Sequence, residues 1–162
     1  MYQGQPVPVD AETADPLFGA LPGVRLARGV GRAMNALGYA CLTEVPLANG
    51  RRADVIALST SGDIVIVEIK SSVEDFRTDR KWAEYWDFCD YLYFAVPEGF
   101  PDTILPPDCG LIRADAFSAA LIRDSALSRL APARRKAVTL RFAHLAAARL
   151  GRLTDPGCRA TL

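Results

Sequence analysis

The sequence has few of the residues that build zinc sites and disulfide frameworks. Its 162 residues include one histidine and four cysteines, Cys41, Cys89, Cys109 and Cys158. The cysteines are widely separated and form no C-x-x-C pair, so a structural zinc site is not expected. Their spacing is typical of reduced, mostly buried thiols in a cytosolic protein.

The sequence also lacks long apolar runs and a recognisable targeting segment. No hydrophobic stretch reaches the roughly 18–20 residues that a membrane span requires. The segment from Met1 to Asp15 has neither a basic start nor an apolar core, so we do not expect a signal peptide. These absences predict a cytoplasmic protein that does not engage a membrane.

The sequence does contain enough apolar material for one core. Half of its residues are hydrophobic, and its length suits a single domain. Residues 1–22 hold four prolines and three acids but no lysine or arginine, which is typical of a flexible arm. We therefore expect an N-terminal arm over residues 1–22 and one domain over residues 23–162.

Charge is balanced over the whole sequence but not along it. The net charge is zero, yet residues 1–112 hold 9 basic and 16 acidic residues, whereas residues 113–162 hold 10 basic and 3 acidic ones. This division has two interpretations. Either a basic surface for phosphates lies beside an acidic half that binds metal, or the two halves attract each other.

Apolar periodicity and turn residues predict a helix followed by a three-stranded meander. The expected elements are a helix over residues 24–37 and strands over residues 39–47, 51–58 and 62–72. Gly29 and Gly31 weaken the helix pattern. The pair Asn49-Gly50 is a strong signal for a hairpin turn between the first two strands.

The rest of the sequence predicts a crossover back to the sheet and a long C-terminal helix. The expected elements are a helix from Ser72 to about Phe88, a strand over residues 90–96, a short strand over residues 110–113, and a helix from about Pro132 to Leu150 that Gly151 ends. The fold class is thus α/β, with an α-β-β-β-α-β mixed sheet flanked by helices.

A basic stripe runs along the predicted C-terminal helix. At about 100° per residue, Arg134, Arg141 and Arg152 project within about 20° of one another. The stripe is either a solvated face of a helix that packs on the sheet or a face that follows the phosphates of a nucleic acid.

Three charged residues stand at the ends of two strongly apolar strands. Asp54 lies in the second strand, and Glu68 and Lys70 end the third. Because strand side chains alternate between faces, Glu68 and Lys70 point the same way. Burying a charge is costly unless it is paired or binds a metal. Two carboxylates and an ammonium group at one end of adjacent strands are the groups that metal-assisted phosphodiester hydrolysis requires.

This arrangement resembles known nucleases. The element order, with Asp54 on the second strand and Glu68-Ile69-Lys70 on the third, is similar to that of the PD-(D/E)xK nuclease superfamily. A closer resemblance is to the MmcB-type DNA repair proteins of bacteria. It rests on the runs RRADVIAL at 51–58, VEIKSS at 67–72, DFRTDRKW at 75–82, DFCD at 87–90 and YFAV at 93–96. The resemblance implies a restriction-endonuclease-like core and a role in DNA repair, and does not itself establish cleavage.

The three charged residues would divide the chemistry between them. Asp54 and Glu68 would bind Mg²⁺ or Mn²⁺, with the carbonyl of Ile69 within reach, because hard divalent cations prefer oxygen ligands. Lys70 would orient a water or neutralise charge that builds on the phosphate, and we favour the electrostatic role. The alternative for both carboxylates is a structural pairing with Lys70 or Arg52.

Two further residues are candidates for this site. Lys81, on the helix after Lys70, resembles a supporting polar residue of many superfamily members, and a solvated lysine is the alternative. Many members also place a glutamate on the first helix as a metal ligand, but the first helix here has no acid. Glu44, on the first strand, is the nearest substitute. Either Glu44 completes the site, or the ligand set is reduced, or metal binding is poor.

The candidates for DNA contact are Arg51, Arg52, Ser71, Arg134 and Arg141. We expect DNA as the partner, other repair proteins as further partners, and a monomer or homodimer as the assembly. The leading hypothesis is a Mg²⁺-dependent deoxyribonuclease that acts in DNA repair. The alternatives are a catalytically weak nuclease-fold module that binds DNA or a repair partner, and a protein-interaction domain with no nucleic acid. The near-neutral charge argues against strong, autonomous DNA binding.

Overall fold

Apolar strands and glycine turns build a six-stranded mixed sheet in the computed structural model, which describes residues 20–157. The strands are β1 (Ala40–Pro46), β2 (Arg52–Leu58), β3 (Ile64–Ile69), β4 (Tyr91–Val96), β5 (Gly110–Ala114) and β6 (Ala119–Arg123). The helices are α1 (Pro22–Ala36), α2 (Val73–Thr78) and α3 (Pro132–Thr154), with 3₁₀ helices at Trp82–Phe88 and Asp102–Ile104. The predicted fold class and element order are confirmed, and β6 is an addition to them.

The strands lie in the sheet in the order in which they occur in the chain. β1, β2 and β3 form an antiparallel meander whose turns contain Gly50 and Gly62, both at positive φ. β4 and β5 are parallel to β3, and β6 returns antiparallel to β5. The carboxyl end of β3 therefore lies beside the start of β2, where charged side chains from the two strands meet.

The sheet is covered on both faces, which explains why every residue of β3 is buried. On one face, Leu26, Val30 and Met34 of α1 pack against the strands. On the other face, Val138 and Phe142 of α3 pack with the 3₁₀ helix Trp82–Phe88. Each face forms a separate apolar cluster, and the sheet lies between them.

α1 begins two residues earlier than predicted, and Gly29 has a packing role there. A Cβ atom at Gly29 would lie 2.1 Å from the carbonyl oxygen of Asp115 and 2.6 Å from that of Ser118. The absence of a side chain thus lets α1 approach the turn between β5 and β6. Gly31, by contrast, has nothing within 4 Å of the same position.

The single helix predicted from Ser72 to Phe88 is wrong, because the chain breaks it into two pieces. α2 ends at Thr78, and Asp79 has an extended backbone. The Asp79 carboxylate accepts a hydrogen bond from the backbone N–H of Lys81 at 2.8 Å. This side chain to backbone bond competes with continuation of the helix and starts the 3₁₀ helix Trp82–Phe88 instead.

The C-terminal helix is longer than predicted, since α3 continues past Gly151 to Thr154. An isolated glycine costs a helix only about 1 kcal/mol relative to alanine, which the neighbouring turns outweigh. The start of α3 is tied to the sheet by Arg135, whose guanidinium donates two hydrogen bonds to Asp90 at 2.7 and 2.6 Å. Asp90 is fully buried and also accepts from the backbone of Ile64 at 2.8 Å. Here the basic and acidic halves of the sequence do attract each other.

The structure bears only in part on the predicted N-terminal arm and on membrane contact. The predicted arm lies outside the described residues except for its last three positions, and Pro22 already belongs to α1. The domain boundary at residue 23 stays a prediction. Among residues 20–157, no helix combines the length and the apolar character needed to cross a membrane.

Candidate active site

Asp54 and Glu68 are neighbours across the antiparallel pair of β2 and β3. Val55 pairs with Val67, so Asp54 and Glu68 occupy the next position toward the strand ends. Together with Lys70 they line a cleft of about 780 Å³, which the first turn of α1 borders. We call it the carboxylate cleft. The structure thus brings together the three charged residues that the strand pattern singled out.

Asp54 is held in place by the backbone of the neighbouring strand. Its Oδ2 accepts a hydrogen bond from the N–H of Ile69 at 2.8 Å. Burial raises the pKa of Asp54, and the hydrogen bond from Ile69 and the charge of Lys70 offset this only in part. One carboxylate oxygen is therefore engaged in fixing the side chain, in a position where a negative charge is unfavourable without a cation nearby.

Glu68 has the most unusual environment in the cleft. Its side chain is 7% exposed, and Oε1 accepts a hydrogen bond from Nζ of Lys70 at 3.1 Å. Oε2 is buried and has no hydrogen-bond partner among the described residues. Burial, followed by the charge of Asp54, raises the pKa of Glu68 to about 7. A buried carboxylate oxygen without a partner is costly, and a bound cation would remove that cost.

The Lys70 ammonium group contacts two carboxylates, those of Glu68 and Asp79. Its Nζ donates to Glu68 and to Oδ2 of Asp79, the latter at 2.7 Å. Burial alone would lower the pKa of Lys70, but the hydrogen bonds and charges of Asp79 and Glu68 outweigh it and raise the pKa. Lys70 is therefore an ammonium group at neutral pH, which favours the electrostatic role over that of a general base.

Asp79 is a site residue that the sequence interpretation missed. Its carboxylate joins Lys70 on one oxygen and the backbone N–H of Lys81 on the other. These contacts hold the pKa of Asp79 below its usual value even though partial burial acts in the opposite direction. A signal was present, because an aspartate at the C-terminal end of a helix opposes the helix dipole and needs another reason to be there.

Tyr85, from the 3₁₀ helix Trp82–Phe88, lies close enough to Glu68 and Asp54 for their charges to act on it. Its side chain is buried, and its hydroxyl donates to the carbonyl oxygen of Arg52 at 3.0 Å. Burial and the negative charges of Glu68 and Asp54 raise the pKa of Tyr85, so the phenol remains neutral. Tyr85 thus secures the start of β2, the strand that carries Asp54.

Lys81 takes part in this site through its backbone rather than its side chain. It directly precedes the 3₁₀ helix, and its side chain is exposed. Residues four apart do not align in a 3₁₀ helix, so Lys81 and Tyr85 do not share one helical face. A supporting role for the Lys81 ammonium group stays a prediction.

Glu44 borders the carboxylate cleft but is engaged elsewhere. It is a non-glycine residue at positive φ, 53°, and its carboxylate forms an ion pair with Arg52. Arg149 of α3 donates to the carbonyl oxygens of Thr43 and Glu44 at 2.6 and 3.1 Å and so stabilises this bend of β1. Within residues 20–157, no group of three or more acidic, histidine or cysteine residues is arranged to hold a metal ion. Of the four acids that line the cleft, Glu44, Asp54, Glu68 and Asp75, the two that are adjacent across β2 and β3 are Asp54 and Glu68.

The arginines proposed for DNA contact lie in two places. Arg51 forms a two-pronged ion pair with Glu84 at 3.0 and 2.9 Å. Arg134 lies 4.9 Å from the ring centre of Phe88, and Arg141 donates to the carbonyl oxygen of Pro46 at 3.2 Å. Neither Arg134 nor Arg141 lines the carboxylate cleft. The basic stripe therefore follows the outer side of the β1–β2 hairpin.

Two further residues that could contact a phosphate line the carboxylate cleft itself. Ser71 lines the cleft, and its backbone N–H donates to Asp75 at 3.3 Å. Arg28 of α1 also lines it and lies 5.9 Å from the ring centre of Phe117. Arg28 is a cleft residue that the sequence patterns did not single out.

Comparison with known proteins agrees with the motifs at this site. A family model described as "DNA repair protein MmcB-like" matches residues 21–157. The chain belongs to the MmcB-like family of DNA repair proteins. The resemblance seen in the sequence runs is confirmed, and this MmcB-like chain carries the three charged residues within the matched segment.

Two solved structures are similar to this MmcB-like chain. The first is the SPO1766 protein of unknown function from Silicibacter pomeroyi, with 43% identity, a TM-score of 0.84, and coverage of 88% of this chain and 97% of that one. The second is a repair endonuclease from Pyrococcus abyssi, with 16% identity, a TM-score of 0.29, and coverage of 58% and 39%. The second likeness is too low to support an inference about this chain. No curated protein matches the chain.

Proposed function

We propose that this MmcB-like protein is a metal-dependent nuclease that hydrolyses phosphodiester bonds of DNA during repair. The observation that carries the proposal is the buried Oε2 of Glu68, which has no partner among the described residues and lies beside the half-buried carboxylate of Asp54. Such an arrangement is unfavourable as a purely structural feature. It becomes favourable when a divalent cation binds.

The residues of the cleft fit Mg²⁺ or Mn²⁺. The free oxygen of Glu68 and a carboxylate oxygen of Asp54 would bind the cation, and the carbonyl of Ile69 is a third oxygen donor in the same segment. Mg²⁺ usually binds one or two carboxylates and keeps several waters, so a two-acid set is compatible with it. When bound, the cation would polarise the scissile phosphate and lower the pKa of a bound water.

The remaining cleft residues would bind and orient the phosphate. Lys70, protonated and fixed by Asp79, supplies positive charge beside the two acids and would stabilise the negative charge that develops on the phosphate. Arg28 of α1 and Ser71, the residue after Lys70, also line the cleft. Asp54 and Glu68 would thus hold the cation while Lys70 acts on the substrate.

One observation favours the second candidate, a nuclease-fold module that binds DNA or a repair partner and cleaves weakly. Of the four acids in the cleft, Glu44 is paired with Arg52 and Asp75 accepts from the backbone N–H of Ser71, so Asp54 and Glu68 are the two proposed to bind the cation. The exposed Arg134 and Arg141 would then provide a DNA contact remote from the cleft. DNA affinity that falls on Arg134→Ala and Arg141→Ala substitution would support this contact, and unchanged affinity would contradict it.

Cleavage of plasmid, single-stranded and branched DNA with Mg²⁺ or Mn²⁺ tests the proposal. Wild-type protein is expected to cleave at least one substrate, and Glu68→Gln and Asp54→Asn are each expected to reduce kcat by about 100-fold or more. Glu74→Gln is the matched control, because Glu74 is an exposed glutamate of α2 outside the cleft. No cleavage of any substrate by wild type, or equal cleavage by all variants, would contradict the nuclease assignment.

A further inference from the structure

A second cleft lies at the other end of the sheet. Val65 of β3 borders this cleft and Glu68 lies three residues further along the strand, so roughly 10 Å of strand separates the two sites. The cleft has a volume of about 420 Å³, within the range of small-molecule sites. Its polar wall consists of Tyr39, Asp63, Tyr91, Tyr93 and Asp124. We call it the tyrosine cleft.

The charged groups of the tyrosine cleft all have the same sign. Two aspartates line it, and none of its described lining residues is a lysine, arginine or histidine. Asp63 is half-buried, and its Oδ2 accepts a hydrogen bond from the hydroxyl of Ser61 at 2.7 Å. Asp124 is exposed at the mouth. Neither forms an ion pair within residues 20–157, although the charge of Asp63 also acts on Arg135 of α3, so the lining of the cleft carries negative charge.

The tyrosines reinforce this potential without adding charge of their own. Burial and the carboxylate of Asp63 raise the pKa of Tyr39. Burial raises the pKa of Tyr93 as well, and Asp124 raises it further against a hydrogen bond from the backbone of Ser125. The phenols of Tyr39 and Tyr93 therefore stay neutral at physiological pH. They present electron-rich ring faces and acceptor oxygens, both of which attract a cation.

The position of one ring is built into the sheet. Tyr93 pairs with Gly110 across the parallel strands β4 and β5. A Cβ atom at Gly110 would lie 2.1 Å from Cδ1 of Tyr93, so the ring occupies the space that a side chain would fill. Tyr93 thus lies flat against the backbone and faces the cleft.

The opposite wall of the tyrosine cleft is apolar. Val30 and Met34 of α1 line it and are buried, and the buried Val65 of β3 lies beside Tyr91 in the sheet. An occupant needs a hydrophobic body that contacts this wall and a positive group that reaches the tyrosines and aspartates. A phosphodiester does not meet these requirements, because two carboxylates would repel it.

We propose that the tyrosine cleft binds a small organic cation, an amine or guanidine with an apolar body. The cationic group lies against the tyrosine faces and between Asp63 and Asp124, and the apolar body packs on α1. This site is independent of the carboxylate cleft, since the two share no lining residue.

Titration calorimetry with a charged probe and its neutral analogue tests the proposal. Benzylamine and benzyl alcohol have nearly the same shape and differ in charge. We expect the wild-type protein to bind benzylamine at least about tenfold more tightly than benzyl alcohol. Asp124→Asn should weaken benzylamine binding about fivefold and leave benzyl alcohol binding unchanged. Asp87→Asn, which alters an exposed aspartate outside the cleft, is the matched control and should change neither.

A second pair of variants separates ring contacts from general damage to the fold. Tyr91→Phe keeps the ring and should retain most of the benzylamine affinity, whereas Tyr91→Leu should lose it. Equal affinity for amine and alcohol, equal binding by wild type and Asp124→Asn, or no binding of benzylamine up to about 10 mM would each overturn the proposal.

Discussion

Replacing Glu68 with glutamine is expected to stabilise the metal-free protein at neutral and alkaline pH. Burial, followed by the charge of Asp54, raises the pKa of Glu68 from 4.5 to about 7. Protonated Glu68 contributes its full share of the unfolding free energy below pH 4.5, and this contribution is lost as the pH rises through about 7. The reason is that the unfolded chain releases its proton first.

The size of this effect follows from the pKa shift. A shift of one unit corresponds to about 1.36 kcal/mol, so the ionised Glu68 costs about 3 kcal/mol of unfolding free energy above pH 7. Glutamine keeps an oxygen that can accept from Lys70 but loses the ionic attraction, which offsets part of the gain. We therefore expect Glu68→Gln to be about 1–2 kcal/mol more stable than wild type near pH 8 and to vary less with pH.

Urea unfolding in the presence of a chelator, followed between about pH 5 and pH 8, measures this difference. Glu74→Gln removes an exposed carboxylate and should keep the wild-type pH profile. Parallel profiles for wild type and Glu68→Gln would refute the reasoning, because they would mean that burial does not disfavour ionisation of Glu68.

The other predictions concern packing, the ion pair of α3 and the positioning of the lysine. Asp90→Ala removes a fully buried carboxylate that accepts from Arg135 and from the backbone N–H groups of Ile64 and Leu130, and should destabilise the protein by about 3–5 kcal/mol in urea unfolding; a loss below about 1 kcal/mol would contradict the structural role. Gly29→Ala places a methyl group on a backbone carbonyl and should lower the unfolding free energy by about 1–3 kcal/mol. The matched Gly31→Ala should instead raise it by up to about 1 kcal/mol, so equal effects would be a contradiction. Asp79→Asn releases Lys70 and should lower kcat for DNA cleavage about tenfold with KM nearly unchanged, whereas an equal rise in KM would indicate a binding role.

Local sequence patterns were sufficient to predict the hairpin and the buried strand that carry the site. Asn49-Gly50 marked the first hairpin, and Gly50 does adopt the positive φ that such a turn requires. The apolar run that ends in Glu68 and Lys70 predicted a buried strand, and alternation placed both side chains on one face. These features depend on neighbouring residues alone, which is why the sequence was enough.

The break between α2 and the 3₁₀ helix Trp82–Phe88 depends on a contact that the sequence does not display. Asp79 turns toward Lys70, nine positions away, and toward the backbone of Lys81. Helical periodicity continues through this segment, so it favours one long helix. The ion pair at the site overrides that preference, and it also creates the site contact that the pattern missed.

Other features arise between elements that are distant in the sequence. Gly29 weakens a helix when it is judged locally, yet the turn after β5 requires it. Glu44 is well placed in the chain to join the acids, but its carboxylate forms an ion pair with Arg52. The tyrosine cleft collects Tyr39, Asp63 and Asp124 from three separate segments. No periodicity or short motif marks such combinations, because only the folded sheet brings them together.

The central claim is that Asp54 and Glu68 form a site for a divalent cation, and calorimetric titration with Mn²⁺ tests it most directly. We expect wild-type protein to bind one Mn²⁺ with release of protons at pH 6, since the raised pKa of Glu68, about 7, leaves that carboxyl largely protonated before binding. Glu68→Gln should abolish this binding, and Glu74→Gln should preserve it. Equal binding by wild type and Glu68→Gln, or none by wild type, would contradict the claim.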